Sequence, residues 1–385
     1  MQIIRQIEID LAKRLLKSNP IVALLGPRQS GKTTLSQQIV RQIKDETHFF
    51  DCENPKDIHR LTDPLTALKD LKGIVVIDEV QRTPEIFSVL RVLADQAKQT
   101  KYLILGSASP HLLQQSSETL AGRVAFMEIS GFHCENIPSN KTETLWLRGG
   151  FPRSYLAKSE KDSFQWRQDF ISAFLERDIP NLGLQIPTRM LQRFWSMLAH
   201  YHGQLFNASE IGRSLGVSDH TARRYLDLLA ATFMVREIRP WFYNTKKRII
   251  KTPKIYFRDS GILHALLSIE DKKGLQTHPQ LGASWEGFAI EEIIKSLEIR
   301  ESQAYFWGVH TGAEIDLIFE KNGHLYGVEV KYTQAPSVTP SIKAAIEELS
   351  LKHVWIIYPG SQKYPLLKNV SVTPLEGLSW RGLLV

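Results

Sequence analysis

Nine residues, Gly26-Pro27-Arg28-Gln29-Ser30-Gly31-Lys32-Thr33-Thr34, fill the fixed places of a Gly-x4-Gly-Lys-Ser/Thr phosphate loop, and Ile21-Val22-Ala23-Leu24-Leu25 before them reads as a buried strand. Gly26 and Gly31 let the backbone turn so that successive N–H groups face a β-phosphate, at the positive end of a helix that starts near Lys32. In that geometry Lys32 neutralises the β and γ oxygens and the Thr33 hydroxyl holds Mg²⁺. All nine are candidate nucleotide contacts.

Downstream, Gly73-Ile74-Val75-Val76-Ile77-Asp78-Glu79 is an apolar run too short for a helix, ending in two acids. It reads as a central parallel strand. Ligands sit at the carboxyl ends of such strands, so Asp78 is expected in the Mg²⁺ shell and Glu79 is expected to orient and deprotonate an attacking water. The third buried strand, Tyr102-Leu103-Ile104-Leu105-Gly106-Ser107-Ala108-Ser109, ends in hydroxyl residues. Ser107 is the candidate γ-phosphate sensor, with Ser109 behind it. Arg123 follows a turn glycine and is either an arginine finger, in cis or across a subunit interface, or a surface residue.

A second group of acids lies in the last third. Ala313-Glu314-Ile315-Asp316-Leu317-Ile318-Phe319, the turn Glu320-Lys321-Asn322-Gly323 and His324 to Lys331 read as a hairpin. Strand alternation lets Asp316, Glu329 and Lys331 converge at one end of it. Two carboxylates bridging Mg²⁺, with a lysine steering water or phosphate, are what metal-assisted phosphodiester hydrolysis requires. An upstream helix adds Glu286 or Glu291 as a further metal ligand. Such residues on exposed strands also arise by chance.

Between the two lies a helical region, with Phe164, Trp166, Phe170, Phe174 and Leu175 on one face of a helix expected to end at Pro180. Asn207 to Leu229 then reads as helix-turn-helix, with Gly216 in the turn, Ser218 as N-cap, and Asp219, His220, Arg223 and Arg224 outward. Val235 to Trp241 and Lys254 to Arg258 are expected to pair as a hairpin whose tip carries Lys246, Lys247 and Arg248. This is the pattern of a winged helix, whose helix and wing touch DNA backbone in some proteins and serve as protein contacts or lids in others. Arg223, Arg224, Lys246, Lys247 and Arg248 are the candidate DNA contacts. His200 and His202 lack the partners of a metal site and read as ordinary polar residues.

The 385 residues suggest two to three domains, and 48 Lys+Arg against 41 Asp+Glu make a mildly basic chain. Nucleic acid or another polyanion is the partner such a balance favours. Two cysteines without pairing or metal spacing fit a reducing compartment. The acids of the N-terminus do not suit a signal peptide, and no apolar run approaches the ~18 to 20 residues that span a bilayer, so a soluble, cytoplasmic protein is expected.

The arrangement resembles a family of prokaryotic AAA-type ATPases with a C-terminal domain related to restriction-endonuclease-like nucleases. The resemblance rests on the phosphate loop, Ile77-Asp78-Glu79-Val80-Gln81, Leu120-Ala121-Gly122-Arg123, Gly149-Gly150-Phe151-Pro152, Leu175 to Pro180 and Pro253 to Asp259. It implies ATP as the nucleotide, and it implies that Glu286, Asp316, Glu329 and Lys331 match the metal site of the nuclease fold. The ending Gly106-Ser107-Ala108-Ser109 departs from the Thr-Gly-Ser-Ser type, leaving Ser107 and Ser109 both open.

The expected fold is a multidomain α/β chain: a P-loop AAA-type ATPase core over 1–150, a helical bridge over 151–189, a winged helix over 190–270 and a nuclease-like α/β domain over 275–385. The expected activity is Mg²⁺-dependent ATP hydrolysis coupled to binding DNA, branched or junction DNA included, with homo-oligomerisation and a metal-dependent nuclease site as further expectations. The alternative is a nucleotide-controlled signalling switch whose C-terminal domains bind protein and do not cut DNA.

Overall fold

A computed structural model describes residues 3–96, 99–107, 120–181, 186–241, 252–309 and 312–376. Lys246, Lys247, Arg248 and Ser109 lie outside the described residues. The chain divides into two compact units, one of Met1–Gly131 with Ala231–Phe233 and one of Phe132–Ala230 with Met234–Val385. Among the described residues no helix is long and apolar enough to cross a membrane.

The first unit is built on five parallel strands, β1 (Ile21–Leu25), β2 (Thr47–Asp51), β3 (Gly73–Asp78), β4 (Thr100–Gly106) and β5 (Val124–Glu128), in the order β2-β3-β4-β1-β5. Alternate residues of each central strand enter different cores. Ile21, Ala23, Leu25, Val75, Ile77, Tyr102 and Ile104 pack on one face with Leu90 and Leu93 of the helix Ile86–Gln96. Val22, Leu24, Ile74, Val76, Leu103 and Leu105 pack on the other with Ile9, Ala12, Leu35 and Ile39, from the helices Gln6–Ser18 and Lys32–Ile43. Burial of both faces explains why these strands read as unbroken apolar runs.

Arg5, just ahead of the first helix, was silent in the sequence. It is 4% exposed, donates through Nε to Glu8 Oε1 at 2.7 Å, and reaches the carbonyls of Ser30 at 3.3 Å, Ser130 at 3.1 Å and Gly131 at 3.4 Å. One guanidinium thus ties the phosphate loop to the chain that leaves β5.

In the second unit, β6 (Gln204–Leu205), β7 (Val235–Pro240), β8 (Lys254–Phe257), β9 (Ala304–Gly308), β10 (Glu314–Lys321), β11 (His324–Val330), β12 (His353–Tyr358), β13 (Tyr364–Leu367) and β14 (Val370–Pro374) form one sheet in the order β13-β14-β12-β11-β10-β9-β7-β8-β6. The expected hairpins are present: β7 pairs antiparallel with β8, and β10 with β11 through a two-residue turn at Asn322 (φ 52°) and Gly323 (φ 73°). The parts expected to be separate after residue 150 share this unit. Parallel pairing of Arg239 with Tyr305 and Pro240 with Phe306 joins β7 to β9, so the backbone ladder runs through the expected boundary near 275.

The helices Thr188–His200, Ala208–Leu215 and Asp219–Ala231 precede β7, with Gly216 closing the second of them in the left-handed conformation (φ 72°). Glu160–Ala173 does not stop before Pro180. It widens into a π-helical stretch over Phe174–Asp178 and continues into Ile179–Asn181, so its described part ends within one residue of Pro180. Arg167 of that helix is fully buried and donates to the carbonyls of Ser163, Leu147 and Gly261.

Removing one partner of a buried ion pair strands the other charge at a cost of about 3–5 kcal/mol. Arg5→Met is expected to destabilise the chain by about that amount in urea unfolding. Arg5→Met/Glu8→Met should recover part of the loss, because no lone charge then remains buried.

Candidate functional site

The phosphate loop leaves β1 and enters the helix Lys32–Ile43. Gly31 caps that helix at φ 90°, and a Cβ on Gly26 would lie 1.8 Å from the Ile129 carbonyl oxygen. One glycine is needed for its backbone angle, the other for close approach of strand to loop. Gln29 is also left-handed, at φ 63°, a conformation that recurs in anion-binding nests. Lys32 Nζ lies within the loop, donating to the carbonyls of Gly26 at 3.0 Å and Pro27 at 2.9 Å. Arg28 and Arg82 share Glu53, at 2.7 and 2.9 Å.

β4 lies between β1 and β3, so the loop strand and the acid strand are about 9–10 Å apart. Thr33, on the first turn of the loop helix, spans that gap. Its hydroxyl donates to Asp78 Oδ2 at 2.5 Å, while Asp78 Oδ1 accepts from the Glu79 amide at 2.9 Å. Glu79 is left-handed at φ 52°, an uncommon conformation for a residue with a side chain and one that collects at functional sites. Gln81 Nε2 donates to Glu79 Oε2 and, at 2.9 Å, to Ser107 Oγ; the Ser107 hydroxyl lies 3.4 Å from the same Glu79 oxygen.

Sequence reasoning thus found Lys32, Thr33, Asp78, Glu79 and Ser107, which the structure brings together, and missed Gln81 as their link. Its place two residues beyond the acid pair, at the end of the segment Ile77-Asp78-Glu79-Val80-Gln81, was the available signal. Burial pushes both carboxyls above their ordinary range, opposed at Asp78 by the Thr33 hydroxyl and at Glu79 by the Lys32 ammonium. The Thr33 and Asp78 oxygens, beside a carboxyl that burial makes reluctant to ionise alone, fit a hard divalent cation such as Mg²⁺.

Arg123 stands elsewhere. It precedes β5 at the level of Ile21, where the strands begin, and the loop leaves from where they end. Its guanidinium grips Asp95 through Nε at 2.7 Å and NH2 at 2.8 Å. A finger in cis is therefore ruled out by distance, since five residues of strand span roughly 16 Å.

In the second unit the expected acids do converge, but around a lysine. The register that sets Leu317 opposite Val328 brings Asp316 to the level of Glu329, and Asp316 Oδ2 accepts from the Val330 amide at 2.8 Å. Lys331 Nζ is 2.7 Å from Glu329 Oε1. Lys254 of β8 is buried against the rest: its ammonium bonds Glu314 and lies 3.6 Å from Glu286 and 3.8 Å from Asp316, and the Tyr256 hydroxyl donates to Glu286 Oε1 at 2.6 Å. Among the described residues no three His, Cys, Asp or Glu side chains form a group able to hold a metal ion. Of the residues expected to hold metal, Glu286 and Asp316 contact the Lys254 ammonium, and Glu329 pairs with Lys331. Glu291 is elsewhere, in a buried pair with Arg236 at 2.5 Å and with Arg258 at 3.9 Å.

Burial and the neighbouring Asp316 charge raise Glu286 to about 7 and Glu329 to about 8. Lys254 and Tyr256 were missed because β8 is far from the hairpin in sequence, whereas Glu314 stood at the start of the hairpin strand and was passed over.

Of the basic candidates, Arg224 is exposed on the helix Asp219–Ala231. Arg223, partly exposed, pairs with Asp227 at 2.7 Å and Glu237 at 2.6 Å. His202 is not an ordinary polar residue: it is buried, accepts from the Phe257 amide at 3.0 Å, and burial depresses its pKa to about 3.

Family models match three stretches: an AAA domain over residues 18–137, a domain of unknown function (DUF8612) over 139–273 and another (DUF4143) over 281–378. An uncharacterized protein of Mycobacterium tuberculosis, Rv2008c, is 47% identical over 96% of this chain and 83% of its own length, as is its counterpart Mb2031c in Mycobacterium bovis. An uncharacterized protein of Haemophilus influenzae is 24% identical over 81% of this chain and 82% of its own. Among solved structures, the Walker-type ATPase PABY2304 of Pyrococcus abyssi is similar in fold, with a TM-score of 0.50 at 14% identity, covering 69% of this chain and 96% of that one. The first unit is thus a P-loop domain of AAA type.

A carboxyl whose folded pKa exceeds its unfolded value stabilises fully below the unfolded value and loses that contribution as pH rises through the folded one. Glu286 and Glu329 start from an ordinary 4.5 and reach about 7 and about 8, so their contribution should fall between about pH 4.5 and 8. Thermal melts across that window are expected to show Glu286→Gln/Glu329→Gln gaining on wild type as pH rises. An unchanged difference would remove the pair as the source.

Proposed function

The chain belongs to the same family as its two mycobacterial relatives, and from that premise we propose that it is a Mg²⁺-dependent ATPase whose turnover is coupled to binding DNA. The observation that carries the reading is the contact of Thr33 with Asp78, with Glu79, Gln81 and Ser107 joined beside it. Loop amides and Lys32 would hold the β- and γ-phosphates, and Thr33 and Asp78 would hold Mg²⁺, which supplies charge neutralisation at the transferring phosphoryl group. Glu79 would orient water and accept its proton; its raised affinity for protons suits that task. Gln81 would report to Glu79 whether Ser107 is engaged by a γ-phosphate. Arg123 would serve as a finger only across a subunit interface, after release from Asp95.

For the second unit we propose a winged helix, supported by the helices Thr188–His200, Ala208–Leu215 and Asp219–Ala231 with β6, β7 and β8 paired as β7-β8-β6, joined to a nuclease-like sheet. DNA, with branched or junction forms among the candidates, would meet Arg224 and the basic hairpin tip of Lys246, Lys247 and Arg248. Arg223 would position its helix through Glu237. The ion pairs of Arg223 favour a second reading as well: a nucleotide-controlled switch whose C-terminal part binds protein and does not cut DNA.

Lys32→Ala is expected to abolish nucleotide binding or turnover, whereas Glu79→Gln should keep binding and lose about 10²–10⁴-fold in hydrolysis. Gln81→Ala should lower turnover with little change in nucleotide affinity. Equal loss of ATP affinity in the Lys32 and Glu79 variants would reject Glu79 as the water-positioning group.

DNA affinity measured against salt separates the two readings, since release of counterions from phosphates makes log affinity fall steeply with log salt. Replacing Arg224, Lys246, Lys247 and Arg248 by Ala should weaken binding of single-stranded, duplex and four-way-junction DNA and flatten that slope, leaving DNA-independent ATPase activity in place. A chain with no salt-dependent DNA affinity would favour the switch.

A further inference from the structure

Lys254 is 4% exposed, and a buried ammonium persists only where anions compensate its lost hydration. Its surroundings supply them from two directions. Glu286 comes from the helix Leu281–Ser296, and Glu314 and Asp316 come from β10. The ammonium also lies over the Phe306 ring, 5.6 Å from its centroid, a further contact that favours the charged form. These attractions outweigh burial, and the lysine holds its proton more tightly than a free one.

One oxygen of each of the four carboxylates already has a donor. Glu286 Oε1 accepts from the Tyr256 hydroxyl, Asp316 Oδ2 from the Val330 amide, Glu314 Oε1 from Lys254 and Glu329 Oε1 from Lys331. Glu329 Oε2 is buried and has no hydrogen-bond partner. Lys254 and Tyr256 are two residues apart on β8, so both project from one face of that strand into the same acids. A divalent ion needs about six oxygens within 2.0–2.6 Å, and here three of the carboxylates surround an ammonium instead.

We infer that Lys254 is the resident cation of this cluster: its ammonium takes the place a divalent metal would hold among Glu286, Glu314 and Asp316, and the acids serve to fasten β8 to β10 and to the helix Leu281–Ser296. The second unit then carries a nuclease-like arrangement of acids without a catalytic metal. This goes beyond the ATP-dependent reading and does not depend on it, because every group involved lies outside the phosphate-loop unit.

The test is Mn²⁺ binding, followed by the electron paramagnetic resonance signal of free Mn²⁺. It uses the full chain without nucleotide and carrying Asp78→Asn, so that uptake reports the second unit. With Lys254 intact, no equivalent of Mn²⁺ should be taken up at millimolar metal. Lys254→Met, which keeps the length of the side chain and removes its charge, should gain one equivalent, and adding Asp316→Asn should abolish that gain. Should Lys254→Met fold poorly by circular dichroism, Lys254→Met/Glu314→Gln relieves part of the repulsion and keeps Glu286, Asp316 and Glu329 for the same measurement. Uptake of one equivalent by the chain with Lys254 intact, lost on Asp316→Asn, overturns the proposal. So does failure of the folded Lys254 variant to gain Mn²⁺, since the acids would then need no cation at all.

Discussion

Burial of both faces of the three central strands, β1, β3 and β4, is the constraint on which the first unit depends. Val22 and Leu24 face one core while Ile21, Ala23 and Leu25 face the other, leaving no solvent-facing side on which a polar side chain could stand. The polar groups of these three strands are therefore confined to their ends. Because the strands are parallel, those ends gather Gly26, Asp78 and Gly106 along one edge. Placing β4 between β1 and β3 opens a gap that Thr33 closes onto Asp78, and it also brings Ser107 beside Glu79 through Gln81. The left-handed backbone of Glu79 is tolerated where Asp78 accepts its amide and Gln81 holds its carboxylate.

A different rule governs the second unit, where charges are buried inside the fold and must be matched there. Arg236 and Glu291 are both fully enclosed and pair with each other, and Arg258 lies against the same glutamate. Asp259 accepts from the amides of Gly150 and Ile262, which fastens the segment after the helix Thr142–Arg148 to the start of the helix Ser260–Leu266. Gly149-Gly150 and Arg258-Asp259, far apart in the chain and suggestive of function as motifs, meet as one structural joint. Lys254 among its acids follows the same logic. Removing any member of such a set costs more than the contact contributes, because the partner is left charged and dry.

These two regimes explain what can be read from residues in a row. Phosphate chemistry was legible because its parts are local: Gly26, Gly31, Lys32 and Thr33 occupy one turn, and the acids end a strand whose apolar run announces it. The hairpins were legible for the same reason, since alternation and Asn322-Gly323 are short-range signals. Arg5 and Lys254 were not, nor was the link from Gln81 to Ser107, because each joins groups that only folding brings near: Arg5 meets Ser130, Gln81 meets Ser107 and Lys254 meets Asp316.

Residue type and spacing by themselves determined a phosphate-binding turn, an acid-ended strand and a pair of carboxylates on one hairpin, since these depend on backbone angles and periodicity over a few residues. Tertiary structure alone decided what the distant groups do. It set Arg123 at the far end of the sheet against Asp95, paired Arg223 with Asp227 and Glu237, and filled the carboxylate cluster with Lys254. The physical reason is that a charge is defined in role by the nearest opposite charge and by its exclusion from water, and neither is a property of neighbours in sequence.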